Sequence, residues 1–231
     1  QPLRLAEELA VLDNLIDGRL MAGVGRGYQG YEMAGFGTDV DASRGRFQET
    51  LDVLLKAWTS EESFTYEGKY VNITSPITVF PKPLQKPHPP LWLAGTSVDS
   101  MNLAAKMDML PLSSSQMGFE GVRAQFGSLV HARAAYGKSI DDLSLGLQCI
   151  THVAPTDEEA FEALKYARWQ NRAQRGLNRH DVVNGQVNAI PYEGELDDEA
   201  FMDRLFFGSP ETVIKKFKKF SDVGATHISN W

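Results

Sequence analysis

Gly18-Arg19-Leu20-Met21-Ala22-Gly23-Val24-Gly25-Arg26-Gly27-Tyr28 is a short apolar strand that runs into three glycines set around one arginine. This is the layout of an anion cradle at the end of a buried strand. Glycine lacks a Cβ, so backbone N–H groups can approach a ligand closely, and a guanidinium can clamp a phosphate through two parallel hydrogen bonds. A tight turn with a surface arginine has the same local pattern, so the neighbouring elements must separate the two. Ahead of the strand, Leu5, Leu9, Leu12 and Ile16 recur at helical spacing and predict one apolar stripe, with Gly18 where a left-handed C-terminal cap belongs. Helix, cap, strand and glycine-rich turn make half of an α/β repeat.

The rest of the chain continues that alternation. Apolar runs predict strands at Leu20 to Val24, Leu91 to Gly95, Asp108 to Leu112, Leu145 to Val153 and Ala225 to Ser229. Between them lie helical patterns. Asp41 to Trp58 puts Phe47, Leu51, Leu54, Leu55 and Trp58 on one face, with Asp39 or Asp41 as its cap. Ser97 caps a helix over Val98 to Lys106, and Phe119 to Tyr136 carries Val122, Phe126, Leu129 and Val130 at helical spacing. Thr156 opens a capping box before a helix reaching Arg175, and Ser209-Pro210-Glu211 starts another that Gly224 stops. Strands alternating with helices imply a parallel sheet, either an open doubly wound one or part of a (β/α) barrel. Phe64 to Val71 reads as a hairpin around Glu67-Gly68, a proline-rich path leads into Leu91, and Gly185 to Leu196 is the candidate mobile loop or lid.

Composition narrows the function. With 231 residues, 42% hydrophobic and 23% charged, the chain reads as one globular domain over 1–231. A formal charge of −7 argues against a nucleic-acid surface, which needs concentrated Lys and Arg. No apolar run reaches the ~18 residues of a membrane span, and no secretory leader opens the sequence. Cys149 is the only cysteine and stands in an apolar run, which predicts a core thiol and fits a reducing cytoplasm. His88, His131, His152, His180 and His227 lack metal-ligand spacing, so no metal is assigned.

At several points the sequence resembles the bacterial luciferase-like, flavin-dependent monooxygenases. The matching pieces occur in order: Pro2-Leu3-Arg4-Leu5-Ala6-Glu7-Glu8, Leu12-Asp13, Gly18-Arg19-Leu20, Gly23-Val24-Gly25-Arg26-Gly27 and Phe36-Gly37. They continue with Arg44-x-x-Phe47-x-Glu49, Trp58, Tyr66-Glu67-Gly68-Lys69-Tyr70, Pro89-Pro90-Leu91-Trp92-Leu93-Ala94-Gly95 and Gly208-Ser209-Pro210-Glu211. The resemblance implies a (β/α) eight-stranded TIM barrel in which the five runs are strands four to eight. It therefore implies an incomplete barrel, without strands one to three and the final C-terminal helix.

Barrel sites lie at the C-terminal ends of the strands. The resemblance implies that Arg26, flanked by Gly25 and Gly27, binds the phosphate of reduced FMN, and that Tyr28 lies against flavin or substrate. Gly95, Thr96 and Ser97 close the next strand and open a helix, whose N-terminus favours the same anion. Asp99, just beyond, would repel a phosphate and is expected to point away. Ser113 to Ser115 are expected to reach the polar edge of the flavin ring, Ser113 foremost, and His227 and Trp231 are candidate pocket walls. The implied reaction is monooxygenation of a small organic substrate with dioxygen, one oxygen atom entering the product and the other leaving as water. A separate flavin reductase supplies the reduced cofactor, and a homo- or hetero-dimer is implied through the opening helix. No catalytic residue is assigned, because the histidine members often use lies on an early strand. Deazaflavin-dependent hydride transfer, a non-catalytic flavin-binding protein and a sugar-phosphate barrel are the alternatives.

Overall fold

A computed structural model describes residues 1–141 and 143–230. They form two compact units, Gln1–Trp92 and Leu93–Trp231.

In the first unit, α1 (Pro2–Leu15) carries proline in its opening turn and ends through Asp17 (φ 52°) and Gly18 (φ 68°). The Gly18 N–H donates to the Asp13 carbonyl at 2.8 Å, so the predicted left-handed cap forms. Next come β1 (Ala22–Gly25), α2 (Gly30–Gly35), α3 (Val40–Thr59) and the antiparallel pair β2 (Phe64–Glu67) and β3 (Asn72–Ile77). Asp39 caps α3, its carboxylate accepting from the Ala42 N–H at 2.6 Å, and Leu51, Leu54 and Trp58 are buried as predicted. The predicted stripe of α1 is corrected. Its buried residues are Pro2, Ala6, Ala10 and Asp13, whereas Leu5 and Leu12 are 37% and 41% exposed. Close packing explains this: the Trp58 indole N–H reaches the Ala6 carbonyl at 3.0 Å, an approach that a small side chain permits.

Two distant motifs meet in this unit. The Glu49 carboxylate, projecting from α3, accepts the backbone N–H groups of Lys69, Tyr70 and Val71 at 2.9, 2.7 and 2.8 Å. A Cβ at Gly68 would collide with that carboxylate, which is why glycine stands in the turn. The proline-rich path is held likewise: Gln85 donates to Asp13 from its backbone (3.0 Å) and side chain (2.8 Å).

Strand β4 (Leu91–Ala94) carries the chain into the second unit. There follow α4 (Val98–Met107), β5 (Leu110–Ser114), a 3-10 turn (Ser115–Met117), α5 (Gly118–Ala135), β6 (Leu145–Cys149), β7 (Thr151–Val153), α6 (Asp157–Glu162) and α7 (Leu164–Asn178). The chain then forms β8 (Val182–Val183), β9 (Gln186–Val187), α8 (Asp198–Arg204), β10 (Phe206–Gly208), α9 (Pro210–Ser221) and β11 (Ala225–Asn230). Strand β6 lies parallel between β5 and β11, with α5 and α9 supplying the phenylalanines that seal Leu145, Leu147 and Cys149 on one face.

The predicted Leu145–Val153 strand is two strands. Beyond Cys149 the chain leaves the sheet, and β7 pairs in parallel with β10, placing Phe207 and Leu205 in a separate cluster with α7 and α8. The single helix predicted to Arg175 breaks after Glu162 into α6 and α7. Asp157, at the start of α6, accepts the Ser209 N–H (2.6 Å) and Thr212 hydroxyl (2.9 Å). A Cβ at Gly208 would lie 2.9 Å from the same carboxylate, so the Gly208-Ser209-Pro210 motif is a docking point for Asp157.

Candidate functional site

The cradle sits where β1 ends. Gly25 is the last residue of the strand, Arg26 follows, and Gly27 takes φ 74°, a left-handed conformation that glycine adopts without strain. Gly25, Arg26, Gly27 and Tyr28 are all exposed, Tyr28 at 60%. Among the described residues Arg26 has no hydrogen-bond or ion-pair partner, so its guanidinium keeps its full donor set for a ligand. Behind β1 lies an apolar hollow of about 180 Å³, lined by Gly23, Val24 and Gly25 with Leu5 of α1 and Phe47, Thr50 and Leu51 of α3. That is smaller than ordinary ligand pockets. Gln29, directly after Tyr28, is buried with its side-chain oxygen unpaired.

In the second unit, Gly95, Thr96 and Ser97 form the turn into α4. Ser97 Oγ accepts the Ser100 N–H at 3.2 Å and sits 3.0 Å from the Ser100 hydroxyl, giving the predicted cap. Thr96 and Ser97 are exposed, and a Cβ at Gly95 would strike Ser100. Asp99 is exposed in the first turn of α4, where a carboxylate favours the helix dipole.

The expectation for Ser113 is corrected. Ser113 is 1% exposed, and its hydroxyl donates to Gln125 Oε1 on α5, while Gln125 Nε2 donates to the Gly95 carbonyl at 2.9 Å. Gln125 thus clamps the ends of β4 and β5 from the helix side, and Ser113 faces away from the opposite, open side. Strand alternation puts Ser114 there instead. The sequence signal for Gln125 is a polar residue on the buried stripe Val122, Gln125, Leu129 and Ala132.

The candidate lid is not loose. Arg172 grips Glu195 with two hydrogen bonds of 2.7 and 2.8 Å, Arg168 holds Asp198 at 2.6 Å and the Leu196 carbonyl at 2.9 Å, and Arg175 stacks 3.9 Å over the Tyr192 ring. Arg172 and Arg168 together hold the Glu195 carboxyl below the usual carboxylate range. The segment from Tyr192 to Asp198 is a strap pinned along α7. Tyr192 also donates to Asn171, and Asn171 to Gln116 beside the end of β5.

Cys149 is fully buried, and desolvation pushes its thiol up to about 12, as a core residue requires. His227 lies exposed on β11, its Nδ1 2.9 Å from the Thr226 hydroxyl, while Trp231 falls outside the described residues. Among the described residues no cluster of His, Cys, Asp or Glu has the arrangement of a metal site, and no helix is long and apolar enough to cross a membrane.

With this geometry in place, the family profile of the luciferase-like monooxygenases matches residues 1–227. The chain belongs to the luciferase-like monooxygenase family. A curated relative, protein y4vJ of Sinorhizobium fredii, is 30% identical over 227 residues, which are 96% of this chain and 64% of the relative. Monooxygenase RslO1 of Streptomyces bottropensis is 25% identical and superposes with a TM-score of 0.78 over 99% of this chain and 65% of its own. An F420-dependent secondary alcohol dehydrogenase, solved with an F420–acetone adduct, gives 0.79 at 17% identity over 100% and 69% of the two chains. The oxygenating constituent of 3,6-diketocamphane monooxygenase from Pseudomonas putida, solved with FMN, gives 0.72 at 20% over 100% and 69%. The fold is therefore that of the luciferase-like α/β barrels with parallel strands. The chain spans about 64% of the length of its curated relative and 65% of RslO1.

Proposed function

We propose that the protein is a flavin-dependent monooxygenase that uses reduced FMN and dioxygen to oxygenate a small organic substrate. The observation that carries this reading is the unpartnered Arg26 guanidinium at the glycine-flanked end of β1. A cation with five free N–H donors beside backbone that glycine leaves open has the donor chemistry a phosphomonoester needs. The second unit offers donors of its own in the exposed N-terminal turn of α4 at Thr96 and Ser97. By its donor chemistry the Arg26 turn fits the phosphate end of a flavin nucleotide. FMN, when bound, supplies the redox chemistry; the chain's task is to anchor and orient it and to keep water out.

Identity supports the oxygenase over the deazaflavin alternative, at 25% to RslO1 against 17% to the F420-dependent dehydrogenase. A separate reductase supplies the reduced flavin, and the exposed leucines of α1 support a dimer through that helix. Ser114 replaces Ser113 as the hydroxyl offered to a ligand from β5.

Titration of the protein with FMN, followed by quenching of flavin fluorescence, tests the assignment. Arg26→Ala should weaken binding roughly ten- to hundredfold, the loss of a charged hydrogen-bonding partner. An unchanged dissociation constant would remove Arg26 from the phosphate site. Hydride transfer from an alcohol to oxidised F420, with no oxygenated product formed from reduced FMN and dioxygen, would select the alternative.

A further inference from the structure

Strands β5, β6 and β11 have two unlike faces. On the face toward α5 and α9, Leu145, Leu147 and Cys149 are fully buried. The strand register fixes what occupies the other face. Leu112 pairs with Gly146 and His227 with Gly146, and one level nearer the C-terminal ends Ser114 pairs with Gln148 and Ser229 with Gln148. Paired residues of parallel strands share a face, so Ser114, Gln148 and Ser229 form one row across three strands. With strands about 4.8 Å apart, the row is roughly 10 Å long. A parallel sheet packed on both faces carries Val, Ile and Leu throughout. Here a lower level of Leu112, Gly146 and His227 gives way to one that is polar on all three strands, at the strand ends where barrels hold their ligands.

The row has a definite chemistry. Ser114 Oγ already accepts the Gln116 N–H at 3.3 Å, so its O–H is left to donate. Among the described residues the Gln148 carboxamide and the Ser229 hydroxyl have no hydrogen-bond partner, yet Gln148 and Ser114 are only partly exposed. Below Gln148 the central strand has Gly146 and so contributes no side chain, which leaves room at the middle of the row. Nothing in the row is charged. We infer that Gln148, flanked by Ser114 on one side and Ser229 on the other, forms a subsite that binds a carbonyl group of an uncharged organic substrate by hydrogen-bond donation from the carboxamide, with a neighbouring serine hydroxyl assisting. A purely hydrocarbon substrate lying on the row would leave the half-buried Gln148 carboxamide desolvated and unpaired. The role as a substrate subsite rests on the proposed oxygenase function; the capacity to bind a carbonyl does not.

The test is a titration of the 15N-labelled full chain with cyclohexanone, followed on the Gln148 side-chain amide signals, which are assigned by their loss in Gln148→Leu. Saturating shifts of those signals are expected. Gln148→Leu and Ser229→Ala, each checked for native fold by near-ultraviolet circular dichroism, should weaken cyclohexanone about three- to tenfold, read from backbone signals of Gly146 and Leu147. Their FMN affinity should equal that of the unaltered protein. Cyclohexanone that shifts nothing between Gly146 and Cys149, or that binds Gln148→Leu as tightly as the unaltered chain, overturns the inference. A protein that shifts with cyclohexanone but does not bind FMN keeps this subsite and loses the flavin assignment, so the two fail separately.

Discussion

At the scale of single residues, Asp13 shows how a buried charge can organise its surroundings. It is fully buried on α1, and burial works to raise its carboxyl, but the Gln85 backbone and side-chain N–H groups outweigh this and hold it below the usual range. Asp13→Ala takes the acceptor from the half-buried Gln85 backbone N–H and from one of its side-chain N–H groups, the other still donating to the Leu20 carbonyl, and thermal denaturation should show a loss of about 1–3 kcal/mol. A change below about 0.5 kcal/mol would mean the proline-rich path is held by other contacts. The pair Leu12-Asp13 is visible in sequence only as a motif, because its partner is 72 residues away. The turn at Gly27 was legible for the opposite reason: the glycine pattern states its own backbone requirement, met at φ 74°. Ser113 and Ser114 are indistinguishable in sequence, because nothing in two neighbouring serines reveals which face each one takes.

At the scale of elements, the caps were the most legible feature. Asp39, Ser97, Thr156 and Ser209 each accept a backbone N–H three residues on, so a local rule was enough. The strap was not legible, because its grip depends on arginines at 168, 172 and 175 meeting Asp198, Glu195 and Tyr192 in reverse order. Its closure is electrostatic, which gives a test. Glu195→Gln removes the ion pairs to Arg172 and Arg168, at a cost on the order of 1–2 kcal/mol of local stability. Thermolysin should then cut between Gly185 and Leu196 about five- to thirtyfold faster, with the thermal midpoint of the whole chain little changed. Equal cleavage rates would show that the strap is held by its apolar contacts instead.

At the scale of the whole molecule, Asp13, Glu49, Asp108, Asp157 and Glu195 all lie below the ordinary carboxylate range. In Asp157 the Ser209 N–H is the main cause, in Asp108 the Lys138 ammonium; in Glu49 burial opposes the shift and the N–H groups of Tyr70, Val71 and Lys69 outweigh it. Depressed in the fold relative to about 4 in the unfolded chain, these groups stabilise the protein above that pH, and the stabilisation is lost as pH falls through their folded values. The thermal midpoint should hold steady from pH 7 to about 5 and fall steeply below about 4. A midpoint flat down to pH 3 would show that these contacts contribute little. Fold class was readable because alternation of strand and helix is written along the chain. The departure of the chain from the sheet after Cys149 was not, since one apolar run can serve two neighbouring pairings.

The sealed thiol of Cys149 has a practical outcome. With its sulfur out of solvent and its ionisation displaced to about 12, maleimide dyes will pass it by at neutral pH. A cysteine introduced at Val183, 65% exposed on β8 in the segment between α7 and the strap, would then accept a single fluorophore in the otherwise unaltered chain. Opening of that segment could be watched in real time as cofactor or ketone is added, with no background labelling to subtract.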